Sequence, residues 1–149
     1  MIKRVLNEAE ANYCDKLLTK LIREESLYDN VIFIDFIVND YFKNVIKNKN
    51  NILLVYEENG IIEGYIYLKA IKDEEQIGYL IDGLYVEEEY RNQKIATRLL
   101  EYSLSILSEK KISFIDINVL SKNTIAKKLY KKIGFEEYKI QMRKRINHK

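Results

Sequence analysis

The chain switches several times between two hydrophobic periods, and the switches divide it into elements. Met1 to Leu6 is a short mixed run expected to form an edge strand, with Asn7 as an N-cap before a Glu- and Ala-rich stretch. Cys14, Leu17, Leu18, Leu21 and Ile22 then recur at helical spacing, which predicts a helix from about Glu8 to Glu25. Phe33, Phe36, Ile37, Tyr41, Val45 and Ile46 suit a second amphipathic helix from Val31 to about Lys47, although Ile and Phe are β-prone.

The period then changes. Asn51 to Tyr56 is a continuous apolar run, and Glu57-Glu58-Asn59-Gly60 supplies the Asn-Gly pair of a tight hairpin into a second strand, Ile61 to Ala70. A charged loop at Lys72 to Gln76 leads to a third strand, Ile77 to Val86. A helix follows from about Gln93 to Glu109, with Ala96, Leu99, Leu100, Ser103, Ile106 and Leu107 on one face. Ile112 to Leu120 reads as a fourth strand, Asn123 or Ser121 caps a helix ending at Ile133, and Gly134 stands where a C′ glycine belongs. Phe135 to Ile146 is expected to close the chain as a strand. Hairpin-linked strands followed by crossover helices predict an α/β fold in one domain, residues 1–149. Its sheet is mixed and covered by helices on both faces.

Composition removes alternatives more than it adds any. A chain of 149 residues with 47% apolar positions buries enough surface to need no disulfide or metal staple. Its five glycines fall in neither a G-x-G-x-x-G nor a Walker A spacing. A net charge of +2, without a basic stripe bearing interleaved aromatics, argues against nucleic acid as a partner. One Cys and one His, Cys14 and His148, provide neither a zinc set nor a disulfide framework, and a reducing cytoplasm is the expected compartment. The N-terminus lacks an apolar signal core and no apolar run approaches a membrane span, so a soluble, untargeted protein is expected.

Chemistry concentrates in two segments. The first runs from Asp82 to Glu109, a strand turning into a helix whose start carries Arg91, Gln93, Lys94 and Thr97. Unsatisfied N–H groups and partial positive charge make such a turn a candidate phosphate seat. In the second, Ile117 to Tyr138, Asn123 and Tyr130 stand seven residues apart on similar sides of one helix.

Together these segments resemble the cofactor-binding half of the GNAT superfamily of N-acetyltransferases. Leu84-Tyr85-Val86 matches the family's L-x-V strand end, and Arg91-Asn92-Gln93-Lys94-Ile95-Ala96 matches its [QR]-x-x-G-x-[GA] loop except at one position. Asn123, Ala126, Leu129, Tyr130, Gly134 and Phe135 match its N-x-x-A-x-x-[LF]-Y-x-x-x-G-F run throughout. The departure is Lys94, which stands where the family has its first loop glycine. If Lys94 already lies in the first helical turn its φ can be ordinary, and its ammonium is in range of a phosphate; otherwise cofactor affinity suffers.

The resemblance implies a GNAT-like sheet with antiparallel N-terminal strands and a splayed parallel pair ending near Val86 and Val119. Acetyl-CoA would lie in the opening, with loop amides from Gln93 to Thr97 on its pyrophosphate and Asn123 beside it. A primary amine, of a small molecule or of a protein or peptide, would attack the thioester directly. Tyr130 matches the family's acid, and a backbone amide of Leu84 to Val86 would meet the oxyanion. No base is fixed by the motif. Asp82, two residues before Leu84 and so on the same face of the strand, is the first candidate and Glu87 a weaker one. The alternative function is a non-catalytic acyl-CoA-binding or regulatory module of the same fold. Whether the chain is a monomer or a homodimer is left open.

Each feature also has a plainer reading. Tyr130 suits core packing, Asn123 a simple N-cap, and Arg91, Gln93 and Lys94 a solvated helix start. Glu87-Glu88-Glu89 suits a solvated turn, Cys14 the core, and Arg143-Lys144-Arg145 a charge pattern protecting a sheet edge.

Overall fold

A computed structural model describes residues 1–29, 36–74 and 76–147. Five strands form one sheet in the order β1 (Ile2–Arg4), β2 (Ile52–Glu58), β3 (Ile61–Asp73), β4 (Gln76–Val86), β5 (Phe114–Ile117). The first three pairings are antiparallel, and β4 with β5 is parallel. Helices α1 (Glu8–Glu25) and α2 (Phe42–Val45) precede β2, α3 (Ile95–Ser108) crosses from β4 to β5, and α4 (Thr124–Ile133) follows β5.

The apolar run of β2 is continuous because both sides of it are buried. Ile52, Leu54 and Tyr56 join Ile66, Leu68, Tyr79 and Ile81 beneath Leu99, Leu100 and Leu107 of α3, with Leu129, Tyr130 and Ile133 of α4 packed on that cluster. Leu53 and Val55 point the other way, with Tyr65, Tyr67 and Tyr85, onto Ala11, Cys14 and Leu17 of α1 and Phe42 of α2. At about 1.5–3 kcal/mol for each large side chain removed from water, these two layers dominate the stability. The β2–β3 hairpin turns at Asn59 and Gly60, both at positive φ (52° and 78°), as a tight primed turn requires.

Five expectations need correction. Residues 31–35 of the expected second helix lie outside the described residues, and beyond them only Phe42–Val45 is α-helical. Asp40, in the left-handed region at φ 59°, separates that turn from Phe36 and Ile37, which are exposed. The loop expected at Lys72 to Gln76 is largely absorbed by β3 and β4, which pair as far as Asp73 and Gln76. Strand β5 is confined to Phe114–Ile117, since β4 offers it partners only from Gly78 to Ile81. Phe135 to Ile146 forms no strand: Glu137 is drawn to Lys131 (3.3 Å) and Lys127 (3.8 Å), while Arg143 and Arg145 reach Asp29 (3.6 and 3.0 Å). Those two arginines therefore pair with an acid rather than guard an edge, and His148 lies outside the described residues.

Candidate active site

Strand β4 leaves its parallel neighbour early. Its last pair with β5 is Ile81 with Ile117, after which β4 runs five more residues to Val86 on β3 alone. The edge of β4 from Asp82 to Val86 that would face β5 therefore has no strand partner there among the described residues. At the same place the β3–β4 register slips: Leu68 faces Ile81 and Tyr67 faces Gly83, leaving Asp82 unpaired. Such a bulge turns a side chain off the regular alternation. Leu84 packs on the α3 side, whereas Asp82 acts electrostatically on Glu25, Tyr41, Tyr65 and Tyr67 of the α1 side. Asp82 and Leu84 therefore do not share a face, contrary to the simple alternation.

Gly83 allows this course. A Cβ there would stand 2.7 Å from the Tyr65 hydroxyl, which is buried without a hydrogen-bond partner among the described residues. Partial desolvation raises the Asp82 carboxyl above its ordinary value, with Lys69 opposing the shift. A second carboxyl, Glu25 at the end of α1, is raised by burial and then by the charge of Asp82. Tyr130 is raised by its burial in the α3–α4 layer and, less strongly, by Glu25. The charge of Asp82 thus bears on Glu25, and that of Glu25 on the Tyr130 phenol. The sequence reading missed Glu25, which ends an ordinary amphipathic helix and carries no motif. A raised phenol keeps its proton at neutral pH, as a proton donor must. Tyr130 also meets Phe135 edge-on at 6.2 Å, which fixes the ring.

The turn into α3 is the second half of the site. Lys94 is the residue preceding the helix, with φ 63° and ψ 22°, and Asn92 is also left-handed at φ 65°. Lys94 is therefore not in the first helical turn, and the condition under which its φ could be ordinary is not met. The lysine adopts the conformation that glycine would favour, and the helix consequently starts at Ile95 rather than Gln93. The first intrahelical bond runs from the Arg98 N–H to the Lys94 carbonyl (2.9 Å), and no side chain caps the helix. The N–H groups of Ile95, Ala96 and Thr97 are those a helix start leaves without intrahelical partners. Asn92, Gln93 and Lys94 expose their side chains beside them.

Arg91 does something else. Its Nε donates to the Val86 carbonyl (2.9 Å), its guanidinium pairs with Glu24 at 2.6 Å, and it lies over the Tyr85 ring at 5.2 Å. This side chain ties the end of β4 to the end of α1. Glu87 is not the solvated turn residue its sequence suggests. It is 8% exposed and takes two bonds from the Lys20 ammonium (2.7 and 2.9 Å), which commits its carboxylate to that ion pair. Asn123 accepts from the Ala126 N–H at 3.2 Å, capping α4. Cys14 is buried, its thiol pushed up to about 12 by desolvation, and is no nucleophile. Among the described residues no cluster of His, Cys, Asp and Glu could hold a metal ion, and no helix is long and apolar enough to cross a membrane.

Comparison with known proteins places this arrangement. A family model described as an acetyltransferase (GNAT) domain matches residues 18–146. A putative [ribosomal protein bS18]-alanine N-acetyltransferase of Bacillus subtilis (strain 168) is 26% identical over 98 residues, 66% of this chain and 62% of that protein. The match thus spans somewhat under two thirds of that relative's length. Among solved structures, a tetramutant of the BH1408 protein of Bacillus halodurans superposes with a TM-score of 0.82 at 18% identity, covering 98% of this chain and 99% of that one. The aminoglycoside N-acetyltransferase AAC(6')-Iy in complex with CoA superposes with a TM-score of 0.71 at 16% identity, covering 98% and 100%.

Proposed function

The chain belongs to the GNAT acetyltransferase family, and from that premise we propose that it is an acetyl-CoA-dependent N-acetyltransferase acting on a primary amine by direct attack. The observation that carries this reading is the junction of two features: the β4 end released from β5 at Ile81, and the uncapped start of α3 a few residues later. Unpaired amides at a helix start favour an anion, and the amides of Ile95, Ala96 and Thr97 would hold the pyrophosphate of the cosubstrate. Asn92, Gln93 and Lys94 flank it, Asn123 lies at the start of α4, and the thioester arm would run along Leu84, Tyr85 and Val86. Acetyl-CoA, when bound, supplies the acetyl group as an activated thioester.

The residues of the chain then handle protons and charge. A free alkyl ammonium has a pKa of about 10.4, so the acceptor must lose a proton before it can react. Asp82, and Glu25 beside it, are the carboxylates placed to draw the ammonium in and take that proton. Both have raised pKa values, which brings them nearer the working pH of a base. An amide of the Leu84–Val86 strand end would donate to the oxyanion, and the Tyr130 Oη would deliver its proton to the departing sulfur. Arg91, tied to Glu24 and Val86, braces the strand end beside the expected cosubstrate seat. Lys94 bears on the alternative of a non-catalytic module. That alternative drew on the missing glycine, yet the loop keeps a glycine-like backbone without it. A single buried cysteine supports a reducing, cytoplasmic setting.

The test is a thiol-release screen with acetyl-CoA against small amines and peptides, run beside calorimetry of acetyl-CoA binding. Amine-dependent release is expected. Binding without release on every amine tried supports the non-catalytic module instead.

A further inference from the structure

Two carboxylates of the candidate active site are left without a cation. The acids beside them are held: Glu24 of α1 by Arg91 at 2.6 Å, and Glu87, just past β4, by Lys20 at 2.7 Å. Asp82 and Glu25 make no ion pair and no side-chain hydrogen bond among the described residues. Lys69 of β3 acts on Asp82 from beyond ion-pair distance, and Glu25 meets Asp82 as a like charge.

The surface between them is aromatic. Asp82 is exposed, turned off the regular alternation by the bulge, and its charge bears on Tyr41, Tyr65 and Tyr67. Tyr41, just ahead of α2, is 39% exposed and stands edge-on to Tyr67 at 6.4 Å. Deeper on the same side, the fully buried Tyr65 hydroxyl has no hydrogen-bond partner among the described residues. It lies 2.7 Å from where a Gly83 Cβ would stand, next to Asp82 along the strand, and the charges of Glu25 and Asp82 both bear on it. Such a hydroxyl lacks a partner, and an N–H group brought in beside Asp82 would donate to it.

A monoamine carries one positive charge to this site and surrenders it on reacting. One carboxylate takes its proton and the other is left facing a neutral nitrogen. A second ammonium on an alkyl spacer keeps that other carboxylate paired throughout, with the spacer and the cation against the exposed tyrosine ring. We propose, resting on the N-acetyltransferase reading above, that the acetyl acceptor is an aliphatic di- or polyamine, its reacting nitrogen at Asp82 and its second ammonium at Glu25 and Tyr41. The step balances: a C–N bond forms and the C–S bond breaks, one ammonium proton leaves through a carboxylate to water, and another goes to the departing sulfur. A peptide N-terminus brings one charge, and an amino sugar brings several on hydroxylated rings that do not match the tyrosine surface.

Thiol release at neutral pH with diaminobutane, spermidine, butylamine, an amino sugar and an alanine-starting peptide tests the assignment. The kcat/KM for diaminobutane and spermidine should exceed that for butylamine by about tenfold, carried by KM and shrinking as salt rises. In Glu25→Gln, checked for folding by circular dichroism, that preference should fall to about twofold. Tyr41→Leu should raise KM for diaminobutane by about threefold and leave that for butylamine alone. Butylamine as good as the diamine, an amino sugar or the peptide preferred to both polyamines, or a preference untouched by both variants would each overturn the proposal while leaving acetyl transfer to an amine standing. No release with any amine would overturn the N-acetyltransferase reading and the substrate class with it.

Discussion

Replacing Lys94, the residue before α3, with glycine separates the contribution of its backbone from that of its charge. Its φ of 63° puts a Cβ-bearing residue in the left-handed region, a conformation that costs roughly 1–2 kcal/mol relative to one that glycine adopts freely. Glycine brings its own penalty of about 0.5–1 kcal/mol from the freer unfolded chain. The difference leaves Lys94→Gly more stable by about 0.5–1 kcal/mol, or ~1–4 °C in Tm for a chain of this size. Lys94→Ala keeps the strained backbone and should be close to neutral. Both variants lose the ammonium, so both should bind acetyl-CoA on the order of threefold more weakly at low salt, with the deficit shrinking as salt rises. Urea denaturation gives the stabilities and calorimetry the affinities. If Lys94→Gly proves less stable than Lys94→Ala, the left-handed backbone is not strained and the reasoning fails. If glycine tightens acetyl-CoA binding while alanine does not, the Cβ obstructs the ligand and the seat described for the pyrophosphate is wrong.

Other consequences follow from the same site. Tyr130→Phe should lower kcat by about a hundredfold while leaving acetyl-CoA affinity nearly unchanged, since a positioned acid contributes on that scale; equal activity across the pH range would remove the acid role. Glu25 is raised in the folded state, so its contribution to stability is fully present below its unfolded pKa and is lost as pH rises through the folded value. Glu25→Gln should therefore raise Tm at neutral pH while lowering kcat/KM for a cationic amine, and a variant that loses both would make Glu25 structural. Gly64→Ala would bring a Cβ to 2.8 Å from the Tyr85 carbonyl, at the pair of Gly64 with Val86; the overpacking should cost about 1–3 kcal/mol in urea titration. Lys20→Met leaves the Glu87 carboxylate buried without its cation, and a loss of about 1–2 kcal/mol is expected after discounting for the half-exposed lysine.

Local chemistry made much of the fold legible. The Asn59-Gly60 turn, the Asn123 cap and the left-handed Gly134 each depend on a few adjacent residues, and each appears where the sequence predicts it. The continuous apolar run of β2 likewise announces a strand buried on both sides. The readings that failed depended on distant partners. Nothing within Ile77 to Val86 signals a bulge at Asp82, which follows from how β4 must pass Tyr65 at Gly83. Glu87 reads as solvent-facing until α1 brings Lys20 to it, and Glu25 gains meaning only beside Asp82 and Tyr130. The alternation from Tyr138 to Met142 reads as a strand, yet none forms among the described residues, where Glu137 is drawn to Lys127 and Lys131 and Arg145 to Asp29.

The central claim is that an acetyl group passes straight to an amine at the β4–α3 junction. It is tested most directly by incubating the protein with acetyl-CoA carrying a carbonyl isotope label and the most active amine, then locating the label by mass spectrometry. The account predicts a labelled amide on the acceptor nitrogen and no label on the protein at any time during turnover. Label retained covalently on the chain, or recovered only as intact acetyl-CoA, would contradict it.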